Sequence, residues 1–463
     1  MRRPVQTDDP TAPAASFPPG AILPDHPAYD EHRMSFNGTV DRRPAAIVVC
    51  SSTADVVAAI RAARGLGLAV AVRGGGHSVA GHSVADGALV VDLRGMRLVS
   101  VDVEARLARA GGGALWEDLD GATVPHGLAT TGGTFIDTGI GGLTLTGGIG
   151  YLLGTGGLTC DTLVGAEVVT ATGEIVRAGP EGDPELLWAL RGGGGNFGVV
   201  TEFVYTLQPI GPLQSGAVSV PLEHARVALA AAAELAHTAP PELCLFAVGP
   251  TLDPVEGVVP DPGDGPPVLR LAIAYQGMAA AAERVIAPLL DLPGARLSLH
   301  EVTYRELQER AGTLPFGLRH YWKGHFVREL DTAAADAFAT AMETTPDGHS
   351  FLLAEAITGR ARVEPAGGAA FGQREARWNV SALAIWEDPA DDDRMRHWAR
   401  RSADAIGGSS LSGAGYGNYA TEDESQERIL AGFGNERMAR LRAVKRRYDP
   451  DNVFHFNHNI APD

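Results

Sequence analysis

Val72-Arg73-Gly74-Gly75-Gly76-His77-Ser78-Val79-Ala80-Gly81 decides how this chain is to be read. It follows a strand expected over residues 68–72 and precedes another expected over 87–93. Successive glycines let backbone N–H groups converge on an anion without interference from Cβ atoms, forming a nest for a phosphate or pyrophosphate. A histidine at the tip of such a loop would face whatever the phosphates carry. A plain glycine-rich turn with an exposed histidine is the competing reading, and the loop alone leaves both open.

Glycine crowds into two further places. The chain has 58 glycines in 463 residues, about 12.5% against a usual ~7%. Residues 132–150 are too bare of side chains for a core strand and suit backbone laid flat against a large planar ligand. Residues 193–198 match G-x-G-x-x-G, but a helix is expected before them (184–191) and a strand after (199–207). A Rossmann fingerprint needs strand first and helix second, so a nicotinamide-type site is rejected there.

Composition sets the outer bounds. Hydrophobic residues make up 45% and charged residues 20%, as in an ordinary globular protein. With 38 Lys+Arg against 56 Asp+Glu the formal charge is −18, which argues against nucleic acid or an anionic membrane as partner. The one basic run, residues 437–447, reads as a helix with its charges mostly in water. No stretch approaches the roughly 20 apolar residues of a membrane span, and Pro, Asp and Thr follow Met1-Arg2-Arg3 where a secretory signal needs an apolar core. Cys50, Cys160 and Cys244 cannot form a disulfide framework. These features lead us to expect a cytoplasmic protein.

Along the chain, residues 1–30 read as an irregular Pro- and Ala-rich lead-in. A strand is expected over 45–50, a helix over 54–64 capped by Ser51-Ser52-Thr53, a strand over 98–103 and a short helix over 115–124. After Pro209-Ile210-Gly211-Pro212 the texture changes. Helices are expected over 225–237, 332–344 and 391–405, with strands over 269–274, 351–358 and 377–386 and a loop over 249–267. Glycine-rich sequence returns at 407–417, followed by one helix through Arg447. There is no internal repeat.

Together, R-G-G-G-H-S at 73–78, the G-x-G-G at 139–142, G-L-T-C-D at 157–161, L-R-G-G-G-G-N-F-G-V-V-T-E-F at 190–203 and Y-D-P-D-N-V-F at 448–454 resemble the bacterial berberine bridge enzyme-like oxidoreductases. These are FAD-linked enzymes of the vanillyl-alcohol oxidase superfamily. The resemblance spans roughly residues 35–460 and is weaker between 210 and 410. It implies an α+β fold with a split FAD domain (1–208 plus 412–463) around a substrate domain (209–411), whose antiparallel sheet, backed by helices, covers the flavin. It implies oxidation of an alcohol, either a sugar or a secondary-metabolite hydroxyl, by hydride transfer to the flavin, with O₂ or another acceptor taking the electrons. An amine-oxidising or ring-closing oxidase is the alternative within the fold, and a flavin-fold binding protein without chemistry the alternative outside it.

Carried over residue by residue, His77 falls on the histidine that bonds the flavin 8α-methyl carbon, which a neutral imidazole can do near pH 7. Arg73, Gly74, Gly75, Gly76, Ser78, Gly139, Gly141 and Gly142 would wrap the pyrophosphate and ring, with Gly198 and Val200 near the adenosine half. Asn457 and Asn459 sit where the family has an N-Q-N-I tail, with His458 in place of Gln. The second, cysteinyl tether of many relatives would fall at Phe135, so a single link is expected. Cys160 reads as a buried residue between helix and strand. Thr138 stands where relatives tune oxygen access, and it leaves oxidase versus dehydrogenase open.

An alcohol oxidase needs a base for the hydroxyl proton. Tyr416-Gly417-Asn418-Tyr419 resembles a Y-x-N-Y motif of alcohol-oxidising relatives, in which the second tyrosine serves as base; the resemblance implies Tyr419 as the base and Tyr416 as its alternative or its tuning donor. The berberine-type carboxylate would fall at Ala369 or Ala370, so no carboxylate is expected. A tyrosine of ordinary pKa near 10 must have that value lowered to work at neutral pH. His455 and His458, three apart, lack a third metal ligand. The segment from His320 to His325 reads equally as a pocket wall or a packed strand end, and Glu355, Arg377 and Trp378 lie on strands of undetermined face.

Overall fold

The computed structural model describes residues 16–252, 266–310, 312–313, 316–346, 349–408 and 410–462. Ser52 starts the first long helix, Thr53–Gly65, in a capping box: its hydroxyl accepts from the Asp55 N–H, and the Asp55 carboxylate reaches back to the Ser52 N–H. That helix packs on a parallel three-stranded sheet ordered Ala46–Val49, Leu89–Asp92, Val70–Arg73. The chain leaves this sheet at Arg73, so the quoted glycine loop hangs directly from a strand end. A second, antiparallel sheet runs Val99–Asp102, Leu107–Gly111, Val199–Thr206, Leu163–Val169, Ile175–Ala178. The third glycine cluster enters its strand Val199–Thr206 from the helix Pro184–Leu190. This is the helix-then-strand order that excluded the Rossmann reading.

The middle of the chain builds a seven-stranded antiparallel sheet, ordered Arg296–Val302, Leu213–Pro221, Pro267–Gln276, Leu243–Leu252, Phe351–Ala356, Trp378–Trp386, Arg319–Val327. One face is covered by the helices Ala225–Thr238, Ala279–Leu290, Thr332–Glu343 and Asp392–Ile406. The other looks toward the glycine-rich segments. Side chains alternate between the two faces along a strand. Thus Leu352 and Ala354 join the helix-covered core, whereas Phe351 and Leu353 join the opposite cluster with Trp322, Leu383 and Tyr416.

Sequence patterning found three of these seven strands. Leu213–Pro221 is interrupted by Gly216 and serines, Arg319–Val327 mixes charge with aromatics, and Arg296–Val302 is a largely exposed edge strand. None shows clean alternation. The loop expected over 249–267 is shorter at its start, since 249–252 continue a strand, and 253–265 lie outside the described residues. The single helix expected through Arg447 is two, Gln426–Ala431 and Gly434–Tyr448, divided where Gly434 takes φ +73°. Cys50, Cys160 and Cys244 are buried free thiols, and among the described residues no helix is long and apolar enough to cross a membrane.

The basic helix also departs from its expected solvation at one position. Lys445 is fully buried, its ammonium 2.7 Å from Asp449 Oδ2 and 2.9 Å from the carbonyls of Asn196 and Phe454. Asp449 in turn accepts from the N–H groups of Val453 and Phe454. One buried pair therefore fastens the C-terminal tail to the third glycine cluster. Removing one partner strands the other charge in a dry interior, which costs about 3–5 kcal/mol. Lys445→Met is expected to lower the melting temperature markedly; an unchanged melt would show that the pair holds nothing.

Candidate active site

The three glycine clusters and the open face of the large sheet line one cavity that opens to solvent. Two of the loops touch backbone to backbone: a Cβ on Gly75 would lie 2.4 Å from the Gly139 nitrogen, so neither position admits a side chain. Gly76 takes φ +79°, which turns the loop so that His77 faces inward. At Gly142 and Gly195, which line the cavity, a Cβ would meet nothing within 4 Å. The missing side chains are therefore room for a ligand.

Of the residues expected at a cofactor, Gly74, Gly75, Gly76, His77, Ser78, Thr138, Gly139, Gly141, Gly142, Gly198, Val200 and Asn457 line this cavity. Arg73 lies beneath the loop, donating to the carbonyls of His32 and Met34. Asn459 is not among the lining residues; its carbonyl accepts from Gln426. Phe135 does line the cavity, while Cys160 is buried elsewhere in the short helix Thr159–Thr162. The ring of His77 is buried with no hydrogen-bond partner on either nitrogen, and burial, aided by Arg73, holds its pKa down to about 4. At neutral pH it is an uncharged imidazole with a free lone pair.

Opposite the glycine loops, Tyr419 and Tyr416 stand edge to face with centroids 4.9 Å apart. Their hydroxyls go separate ways. Tyr416 Oη accepts from the N–H groups of Gly148 (2.9 Å) and Ile149 (3.0 Å) and from Asn418 Nδ2 (2.8 Å), so it clamps a glycine-rich segment and makes no bond to Tyr419. Tyr419 Oη donates to Glu355 Oε1 at 3.0 Å, and Asn379 Nδ2 donates to Glu355 Oε2 at 2.6 Å. Glu355 is 1% exposed, and burial pushes its carboxyl up to about 7, against the opposing pull of the Asn379 and Tyr419 hydrogen bonds.

Two expectations about the base are corrected here. A carboxylate does reach the cavity: Ala369 and Ala370 are buried, Ala370 donating its N–H to the Trp188 carbonyl, but Glu355 projects from the middle of the large sheet. The tyrosine pKa is not lowered either. Burial, with Glu355 and Tyr416 adding to it, drives Tyr419 well above its ordinary value, so it is a neutral phenol. The signal for Glu355 was present as a lone acid in the apolar run Phe351-Leu352-Leu353-Ala354-Glu355-Ala356. A buried carboxylate is costly unless it has a task.

The histidines divide. His320 stacks on Phe36 at 4.3 Å, and His325 packs against Arg428 and Asp404, both off the cavity lining. His458 lines the cavity, bonded to the Gly417 carbonyl, whereas His455 bonds to that of Asn452. Trp378 faces the helix-covered core. The rest of the sheet-side wall is apolar and aromatic: Phe246, Trp322, Phe351, Leu353 and Leu383.

Comparison with known proteins bears on both halves of this cavity. The family model described as FAD binding domain matches residues 44–179, and that described as berberine and berberine like matches 415–461. The chain is 31% identical over 461 residues to (R)-6-hydroxynicotine oxidase of Paenarthrobacter nicotinovorans, covering 96% of each. It is 30% identical to an FAD-linked oxidoreductase of Gibberella zeae, covering 94% of this chain and 84% of that one. The solved structure of 6-hydroxy-D-nicotine oxidase from Arthrobacter nicotinovorans matches with a TM-score of 0.85 at 28% identity, over 98% of this chain and 100% of that one. Glucooligosaccharide oxidase from Acremonium strictum, described with a 6-S-cysteinyl, 8α-N1-histidyl FAD, shares the fold with a TM-score of 0.84 at 24% identity, over 96% and 97% of the two chains.

Proposed function

The chain belongs to the berberine bridge enzyme-like family of FAD-linked oxidoreductases, and from that premise we propose that it oxidises the hydroxyl-bearing carbon of an apolar, aromatic-flanked small molecule. The cavity fits FAD by its own features: positions where a Cβ is absent and space is open, and a buried imidazole with both nitrogens unpartnered. His77 would hold the flavin covalently, the glycines at 74–76 and 139–142 would follow its pyrophosphate and ring, and Phe135 leaves no second tether. Bound FAD supplies the hydride acceptor, and O₂ is the proposed final acceptor of the electrons.

The single observation that carries the reading is the Tyr419–Glu355 hydrogen bond at the sheet face of the cavity. Hydride departs from an alcohol carbon readily when the hydroxyl proton is removed in step. A neutral phenol is a poor base by itself, but Tyr419 can take the substrate proton on Oη while passing its own to Glu355 Oε1. No tyrosinate need form. Tyr416 holds the Gly148–Ile149 backbone against the cavity and leaves Tyr419 free to turn its hydroxyl to the substrate. Among the wall residues Glu355 is the one carboxylate, and the apolar side chains around it favour a secondary-metabolite hydroxyl over a sugar, which would need a ring of polar partners.

A second reading, amine oxidation, is favoured by the similarity to a nicotine oxidase. Anaerobic mixing with aromatic secondary alcohols, oligosaccharides and tertiary amines separates the two. Bleaching of the flavin by the alcohols alone is expected; bleaching by amines alone would replace the proposal.

A further inference from the structure

The loops bring together one pair that the proton path of Tyr419 and Glu355 does not use. His77 Nε2 lies 3.5 Å from Asp137 Oδ2, close enough for an ion pair but outside hydrogen-bond geometry, so that neither ring nitrogen has a hydrogen-bond partner. Asp137 stands two residues before Gly139, and the Gly75–Gly139 backbone contact fixes the distance between the loops that carry the two side chains. The imidazole ring is held from rotating by Phe36 and Phe316, each with its centroid 5.0 Å away. Asp137 Oδ1 is buried without a hydrogen-bond partner, and the carboxylate is held in place by its own backbone N–H.

We propose that Asp137 is the positioning residue for flavin attachment: it keeps the His77 hydrogen on Nε2, aims the Nδ1 lone pair at the flavin 8α carbon, and takes the Nε2 proton as that bond forms. The inference rests on the reading that His77 carries the covalent link. In the step, the Nδ1–C8α bond forms and one 8α C–H bond breaks. The electron pair of that C–H bond stays on the ring, its proton leaves to solvent and the Nε2 proton passes to Asp137, so the flavin is left reduced by two electrons with two protons released. Molecular oxygen then takes two electrons and two protons as hydrogen peroxide. Without an acceptor at Nε2 the alkylated ring would be a buried cation, which this desolvated position beside Arg73 opposes. Burial, with Glu117 adding to it, lifts the Asp137 carboxyl to about 6, close to the pH at which the transfer must run. A carboxylate that closes from 3.5 Å to hydrogen-bond distance on Nε2 fixes the imidazole tautomer.

Wild type and Asp137→Asn, purified with FAD, are compared for total bound FAD, for flavin retained after acid denaturation by intact mass, and for the flavin-bearing peptide. We expect a wild-type adduct on the peptide containing His77. Asp137→Asn is expected to bind FAD to the same stoichiometry but with covalent attachment slowed roughly tenfold or more, and Asp137→Glu to recover most of it. Equal covalent fractions at equal times in wild type and Asp137→Asn would overturn the proposal and leave the His77 link intact. Loss of all FAD binding in Asp137→Asn would assign the carboxylate to the fold and also overturn it. A wild type that releases all its FAD in acid would remove the histidyl link and this role together.

Discussion

Tyr419→Phe is expected to slow flavin reduction by an alcohol substrate roughly 10²- to 10⁴-fold, the usual share of general base catalysis, while bound FAD stays at the wild-type level. The substitution keeps the ring that packs edge to face against Trp322 and Tyr416, so the wall of the cavity is preserved. It removes the one hydroxyl that both lines the cavity and is bonded to Glu355. The substrate proton then has no relay, and Glu355 loses a donor that helps hold its charge. Anaerobic stopped-flow at saturating substrate isolates the step from reoxidation. Reduction within a few-fold of wild type would place the base elsewhere.

Glu355→Gln is expected to cost about 10²-fold at pH 8 and progressively less as the pH falls. The amide occupies the same space between Phe246 and Asn379 on the neighbouring strands, and it can still accept from Tyr419. Its other end is met by turning the Asn379 amide, whose Oδ1 is otherwise buried without a partner. What disappears is the group that ends with the proton. The carboxyl sits near pKa 7, so below that value wild-type Glu355 is already protonated and cannot accept. Wild type therefore slows on acidification and approaches the variant. Equal rates for the two at pH 8 would show that Tyr419 hands its proton to something else.

How much of this was legible in the sequence follows from what each residue needs. The glycine loops were readable because they are defined by an absence: without a Cβ, backbone can meet backbone at Gly75 and Gly139 and leave space at Gly142 and Gly195. The same holds for the position of Tyr419, carried by a short motif. The face on which Glu355 lies was not readable, because Phe351–Ala356 is buried on both sides and shows no polar alternation. Its partnership with Tyr419 joins residues 64 apart in sequence. Asp137 and His77 meet only because two separate loops share a backbone contact, a distance that no local pattern encodes. Lys445 looked like one more solvated charge of a basic helix until the tail folded over it. Long-range placement, more than residue type, is what the sequence withheld.

The central claim is that Tyr419 and Glu355 together remove the substrate hydroxyl proton during hydride loss. It is tested most directly by the pH dependence of anaerobic flavin reduction by an alcohol substrate, followed by absorbance from about pH 5.5 to 9 in wild type and Glu355→Gln. The account predicts a wild-type rate that rises close to tenfold per pH unit, levels off above about 7, and becomes flat in the variant. A wild-type rate that is flat across the range, or an inflection that survives in Glu355→Gln, would contradict it.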